Sequence, residues 1–240
     1  MKLEPTTVST VYNFLRFQNP TVSFIGYALG GSQQIGFMSK NSDFDLAFFT
    51  FEKLPTLSNN ITFYDHNTTK LIEIPLFSLM SLADLTLSQL IGYRSETFFW
   101  MIRQKTILLN MSYSTLWEKF IQLLKNYEHF WIHCCLKGYL AVVKKTLNSV
   151  EAKKFDEASR ANLKKIYRLC YIYLQVSENT DLEKATLFKL KSSQVINLTA
   201  SEILNIKKAI NYLKENYLLE ETHESLVFQE FKAEELMLWK

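Results

Sequence analysis

The chain has 240 residues, of which 48% are hydrophobic and 14% aromatic, and its formal charge is +3. That length holds one large domain or two modest ones, and the apolar content excludes a disordered chain. No apolar run reaches the roughly 18 residues of a bilayer span, and the start, Met1 to Pro5, lacks the apolar stretch of a secretory signal, so a cytoplasmic protein is expected.

Val8, Val11, Tyr12 and Leu15 recur at helical spacing and predict a helix over 6–17, with Thr6 or Thr7 as N-cap and Asn19-Pro20 as its stop. Val22 to Leu29 reads as a strand running into a glycine turn, and 32–38 as a short helix. Residues 43–51 (DFDLAFFTF) form a second strand, apolar enough to be central in a sheet. A loop over 54–60 precedes a hairpin pair, 61–65 and 70–74, around His66-Asn67-Thr68. After Pro75 the spacing turns helical from Leu76 to Ile91. Strong helices follow at 113–147, 153–176, 200–219 and 224–238, with connections at 177–180 and 191–197. The expected fold class is α+β. A mixed sheet with flanking helices fills 1–110, a helical bundle fills 111–240, and the site is expected in a cleft between them.

The chemistry concentrates in one stretch. Of only six glycines, Gly26, Gly30, Gly31 and Gly36 lie together. Gly30-Gly31-Ser32 is followed by Asp43-Phe44-Asp45 on the second strand. Side chains alternate along a strand, so Asp43 and Asp45 belong to one face. Carboxylates grouped in this way suit hard Mg²⁺ (or Mn²⁺), which fills its remaining positions with phosphate oxygens and water. A glycine turn ahead of a helix offers N–H groups to phosphates. The pattern is therefore that of a metal–triphosphate site.

Taken together, GGSQQIGFMSKNSDFDLAFF resembles the signature of the DNA polymerase beta-like nucleotidyltransferases. Gly31-Ser32-x-x-x-Gly36 with Ser42-Asp43-Phe44-Asp45-Leu46 is similar to one subgroup, the predicted nucleotidyltransferases associated with RNA repair. Lys137-Gly138-Tyr139 and the segment Lys164 to Leu169 are similar to that subgroup's helical half, although Tyr167-Arg168 stands where the subgroup has Tyr-His. The resemblance implies transfer of a nucleoside monophosphate from an NTP, ATP among them, to a hydroxyl, releasing pyrophosphate. It implies metal binding by Asp43, Asp45 and a third carboxylate on a later strand. Glu73 fits that role best and also that of general base; Asp65 is the alternative. Gly30, Gly31, Ser32 and Ser42 would hold the triphosphate, with Lys164 and Arg168 as further nucleotide or phosphate contacts. The expected acceptor is RNA, such as a tRNA end. The alternatives are a protein or small-molecule acceptor, or a catalytically silent binding module of the same fold.

Other features read more simply. His129 and His133 stand four apart on a helix, a zinc-compatible spacing, but no fourth ligand suits them and they read as packing histidines. Cys134, Cys135 and Cys170 form no C-x-x-C pair and read as structural thiols. Phe98, Phe99 and Trp100 read as core. The basic residues from Lys144 to Arg168 read as a solvated helix face or a grip on a phosphate-bearing acceptor.

Overall fold

The computed structural model describes residues 5–29, 44–50, 60–65, 70–78, 85–103, 106–152, 157–178, 182–191 and 198–239. It is a mixed α+β protein with a helical C-terminal region. The chain divides into two compact units. The first comprises 1–85, 100–125 and 232–240; the second comprises 86–99 and 126–231.

The first unit is built on a sheet. Helix α1 (Pro5–Gln18) begins one residue ahead of the expected start, at a proline whose fixed φ suits a first turn. The strands are β1 (Phe24–Leu29), β2 (Phe44–Thr50), β3 (Asn60–Asp65), β4 (Lys70–Ser78) and β5 (Ile107–Leu108). They lie in the order β3-β4-β2-β1-β5. The ladder between β2 and β4 is parallel and the others are antiparallel, so the sheet is mixed. Alternation gives β2 and β4 an apolar face of Leu46, Phe48, Ile72, Ile74 and Leu76, which closes on Val8, Val11 and Leu15 of α1. Tyr12, Phe24 and Phe48 form a triangle of rings on that face, with centroids 5.9–6.5 Å apart. On the opposite face Phe49 meets Trp117 of α4 (Ser114–Asn126) at 5.0 Å. Gly26 is required by close approach: a Cβ there would lie 2.7 Å from the Ile107 carbonyl oxygen.

Two expectations need correction here. The strand does not stop at Pro75 but continues to Ser78. Pro75 lies opposite Asn60, where the β3 ladder ends, while β2 still offers pairing partners up to Thr50. A proline is tolerated where the ladder needs no donor. Leu76 to Ser78 are thus strand and not helix, and among the described residues the next helices are α2 (Leu87–Leu90) and α3 (Tyr93–Arg103). The helix expected over 32–38 lies outside the described residues.

The second unit is helical. The expected 113–147 helix is two helices, α4 and α5 (Glu128–Glu151), separated at Tyr127 with φ −107° and ψ 18°. No glycine or proline marks that break; the Tyr127 ring packs edge-on to Phe231 at 5.4 Å. Helix α5 packs against α6 (Glu157–Val176), α7 (Lys184–Lys191) packs against α6, α8 (Ala200–Tyr217) packs against both α5 and α6, and Glu224 and Phe228 of α9 (Glu221–Leu238) meet His133 and Phe130 of α5. Residues 130–136 of α5 are all buried, the mark of a helix covered on every side. Cys134, Cys135 and Cys170 are free, buried thiols in this core, and Phe98, Phe99 and Trp100 are buried as well. Thr199 caps α8 in a capping box with Glu202. No helix among the described residues is long and apolar enough to cross a membrane.

Candidate functional site

The sequence motif falls on a sheet position that the register defines. Gly30, Gly31, Ser32, Ser42 and Asp43 lie outside the described residues. Asp45 is the second residue of β2, and its backbone stands directly opposite Glu73 of the adjacent parallel strand. Glu73 is exposed, between Ile72 and Ile74, which are fully buried against α1. It therefore belongs to the sheet face away from α1. Asp65 stands elsewhere in the register. It pairs with Lys70 at the far end of the hairpin, whereas Thr62 pairs with Glu73. Lys70 is three positions from Glu73, roughly 10 Å along the strand and of opposite parity. Backbone register thus brings Asp45 and Glu73 together and sets Asp65 apart from them.

Lys164 and Arg168 stand one turn apart on α6. Lys164 is exposed. Arg168 is part of a polar network inside the second unit. Its Nη1 lies 3.1 Å from Glu96 Oε2, and the Tyr139 hydroxyl donates to the same oxygen at 2.7 Å. Nη1 also donates to the Tyr139 hydroxyl at 3.5 Å. Burial raises the Tyr139 pKa, and the Glu96 charge beside it raises it further. The guanidinium is 29% exposed and the carboxylate 6%, so the arginine answers a nearly buried charge. Lys137-Gly138-Tyr139 has a second role in placing this network. A Cβ on Gly138 would sit 2.6 Å from the Gly92 Cα, so only glycine lets α5 lie against the α2–α3 turn. Gly92 itself has φ +89°, and its N–H donates to the Cys134 carbonyl at 3.0 Å.

A second network lies one turn away on α5. Glu224 of α9 is buried; its Oε1 is 3.1 Å from His133 Nε2 and its Oε2 accepts from Lys137 Nζ at 2.5 Å. His133 Nδ1 accepts the Leu219 backbone N–H at 3.0 Å. A backbone N–H only donates, so Nδ1 is unprotonated and the ring proton sits on Nε2, facing the carboxylate. His133, Cys134 and Glu224 offer ligand atoms within 4.8 Å of one another. Two features set this trio against a metal. The tautomer places a proton on the nitrogen that would coordinate, and burial pushes the Cys134 thiol up to about 12. Burial also lowers the His133 pKa, outweighing the opposite pull of Glu224. His129, by contrast, is exposed and hydrogen-bonds the Asn216 carbonyl at 2.8 Å. The pair read as packing histidines is thus one surface residue and one member of a buried polar network.

Glu96 and Glu224 were missed in the sequence, yet each carries a signal. Glu224 shares a helical stripe with buried Phe228 and Phe231, and Glu96 shares one with buried Phe99. A carboxylate at an apolar position of a stripe marks a buried charge awaiting a partner. No known protein-family model matches the chain, and no curated protein matches its sequence.

Proposed function

We propose that this chain is a metal-dependent nucleotidyltransferase of the DNA polymerase beta-like type. It moves a nucleoside monophosphate from an NTP to a hydroxyl of an RNA acceptor, such as a tRNA end, and releases pyrophosphate. The observation that carries the reading is the register of Asp45 opposite Glu73 on adjacent parallel strands. Asp43 lies outside the described residues; the Asp-x-Asp motif, two positions before Asp45, supplies it as the third carboxylate of the reading. The mixed sheet, with the Asp-x-Asp strand at its centre, supports the same reading.

The donor set fits the proposed ion. Carboxylate oxygens suit Mg²⁺ or Mn²⁺, whereas the buried His133–Cys134–Glu224 trio, with its protonated thiol, does not. Asp43, Asp45 and Glu73 would hold the metal, which when bound supplies neutralisation of the triphosphate charge. Gly30, Gly31 and Ser32 orient the triphosphate through backbone N–H groups and a hydroxyl. The acceptor oxygen forms a bond to the α-phosphorus, and the α–β bridging bond breaks. The electron pair leaves on pyrophosphate, and the hydroxyl proton passes to the Glu73 carboxylate. Within this reading Arg168 holds the Glu96–Tyr139 network, while Lys164 is available for phosphate.

The test separates the two third-carboxylate candidates. Transfer of label from NTP to RNA is measured for Glu73→Gln and Asp65→Asn. We expect loss of about 100-fold or more for Glu73→Gln and near wild-type transfer for Asp65→Asn. The reverse pattern would move the role to Asp65. Labelling of protein or small molecules in place of RNA would move the acceptor.

A further inference from the structure

Helices α5 and α8 enclose a groove of about 480 Å³ within the second unit. Its floor is apolar: Leu140, Val143, Leu147 and Ile210. Its rim carries Lys144, Lys207 and Lys214 together with the amides of Asn148 and Asn211. Among the described residues no carboxylate and no aromatic ring lines it.

Two of the three lysines, Lys207 and Lys214, come from α8 and the third, Lys144, from α5. On α8, positions 207, 211 and 214 follow one face at helical spacing, and Lys207 and Lys214 are roughly 10 Å apart along the axis. Lys207 is engaged by Glu151 at 2.6 Å. No side-chain partner for Lys144 or Lys214 occurs among the described residues. Lys144 on α5 and Lys214 on α8 thus bring two ammonium groups to one groove, and the Glu151 carboxylate beside it is taken up by Lys207. Like charges across a groove repel, and a polyanion laid along it relieves that repulsion.

We propose that the α5–α8 groove binds the phosphate backbone of a single RNA strand, and this rests on the reading of the chain as a transferase with an RNA acceptor. Lys144 and Lys214 neutralise successive stretches of backbone, and Asn148 and Asn211 offer amides to phosphate or ribose oxygens. The apolar floor takes the faces of riboses or bases. With no aromatic platform among the described lining residues, the groove grips the strand with little sequence preference.

The test measures affinity, not catalysis, so that its failure is distinct from failure of the transferase reading. A fluorescent single-stranded oligoribonucleotide is titrated with the full chain, without NTP or metal, across a range of salt. The variant Lys144→Gln/Lys214→Gln is compared with Lys119→Gln/Lys125→Gln, which removes the same charge from exposed positions of α4. For the groove variant we expect an affinity loss of about tenfold and a salt slope lower in magnitude by about 1.4, that is about 0.7 for each lost phosphate contact. The control should change neither. Equal losses in both variants, no loss in either, or no RNA binding by the wild type would overturn the proposal. Equal binding of polyglutamate, lost on the same two substitutions, would overturn it in favour of an acidic-peptide site. If RNA binding behaves as expected and transfer is nonetheless absent, the groove stands and the transferase reading falls.

Discussion

A single proton decides what the His133 cluster can be. The Leu219 N–H occupies Nδ1, which leaves Nε2–H aimed at Glu224. The buried carboxylate then has Lys137 and His133 for company, and the imidazole has no lone pair left to offer a cation. Removing that carboxylate strands its partners, and leaving a buried donor unpaired costs about 1–3 kcal/mol. Glu224→Ala should therefore lower unfolding free energy by that amount in urea denaturation, while an unchanged midpoint would show that the network carries no stability. The neutral ring also makes a prediction about pH. Its folded pKa lies below the ordinary 6.5, because burial disfavours the charged form. Such a group contributes stability that is fully present above about 6.5 and is lost as pH falls through that value toward the folded pKa. Between about pH 7 and 5 the wild type should lose more stability than His133→Gln, read as the shift of the urea midpoint. Parallel curves for the two proteins would remove His133 from the account.

Among the elements, close packing at glycine is the sharpest constraint. Gly138 lies against Gly92, and a Cβ there would meet backbone rather than a movable side chain. Gly138→Ala should cost about 1–3 kcal/mol through overpacking, with Ala141→Gly, on an exposed position of the same helix, as a control for helix propensity alone. Unchanged or raised stability of Gly138→Ala, the direction that helix propensity alone favours, would show that the turn yields. The same scale shows what periodicity makes legible. Helix α1 is readable because one face against a core imposes a 3.6 repeat, and β1 and β2 because burial on both faces leaves a continuous apolar run. Strand β4 outruns its sequence signal because pairing with β2, a non-local partner, outweighs the proline. The α4–α5 break leaves no mark because no breaker residue makes it. Ring packing of Tyr127 is tertiary and has no local signature. The opposition of Asp45 and Glu73 is likewise a property of register: the sequence offers Glu73 and Asp65 as alternatives, and only the pairing of β4 with β2 and β3 distinguishes their positions. Glu96 and Glu224 are hidden for another reason. Their partners Arg168, His133 and Lys137 lie on other helices, and a charge inside an apolar stripe does not name what will neutralise it.

At the scale of the molecule, neither unit is a continuous stretch of chain. The first draws on 100–125 and 232–240 as well as the N-terminal residues. Phe49 of the sheet depends on Trp117, and Phe120 packs on Trp239 at 5.9 Å. A fragment ending at residue 110 would expose Phe49 and lack both aromatic partners. It should bind a hydrophobic dye and fail to show a cooperative thermal transition, whereas a sharp transition at wild-type temperature would contradict this interdependence. The proposed function rests on Asp45 and Glu73 of that unit's sheet, with Asp43 added by the Asp-x-Asp motif, as the carboxylates that would bind the metal. Its most direct test uses an NTP labelled in either the α- or the γ-phosphate, with Mg²⁺ and total RNA, and compares the wild type with Asp43→Asn/Asp45→Asn. The account predicts that α-label enters RNA, γ-label leaves in pyrophosphate, and transfer falls by about 10³-fold in the double variant. Transfer of the γ-label, or α-label transfer that survives the double substitution, would contradict it.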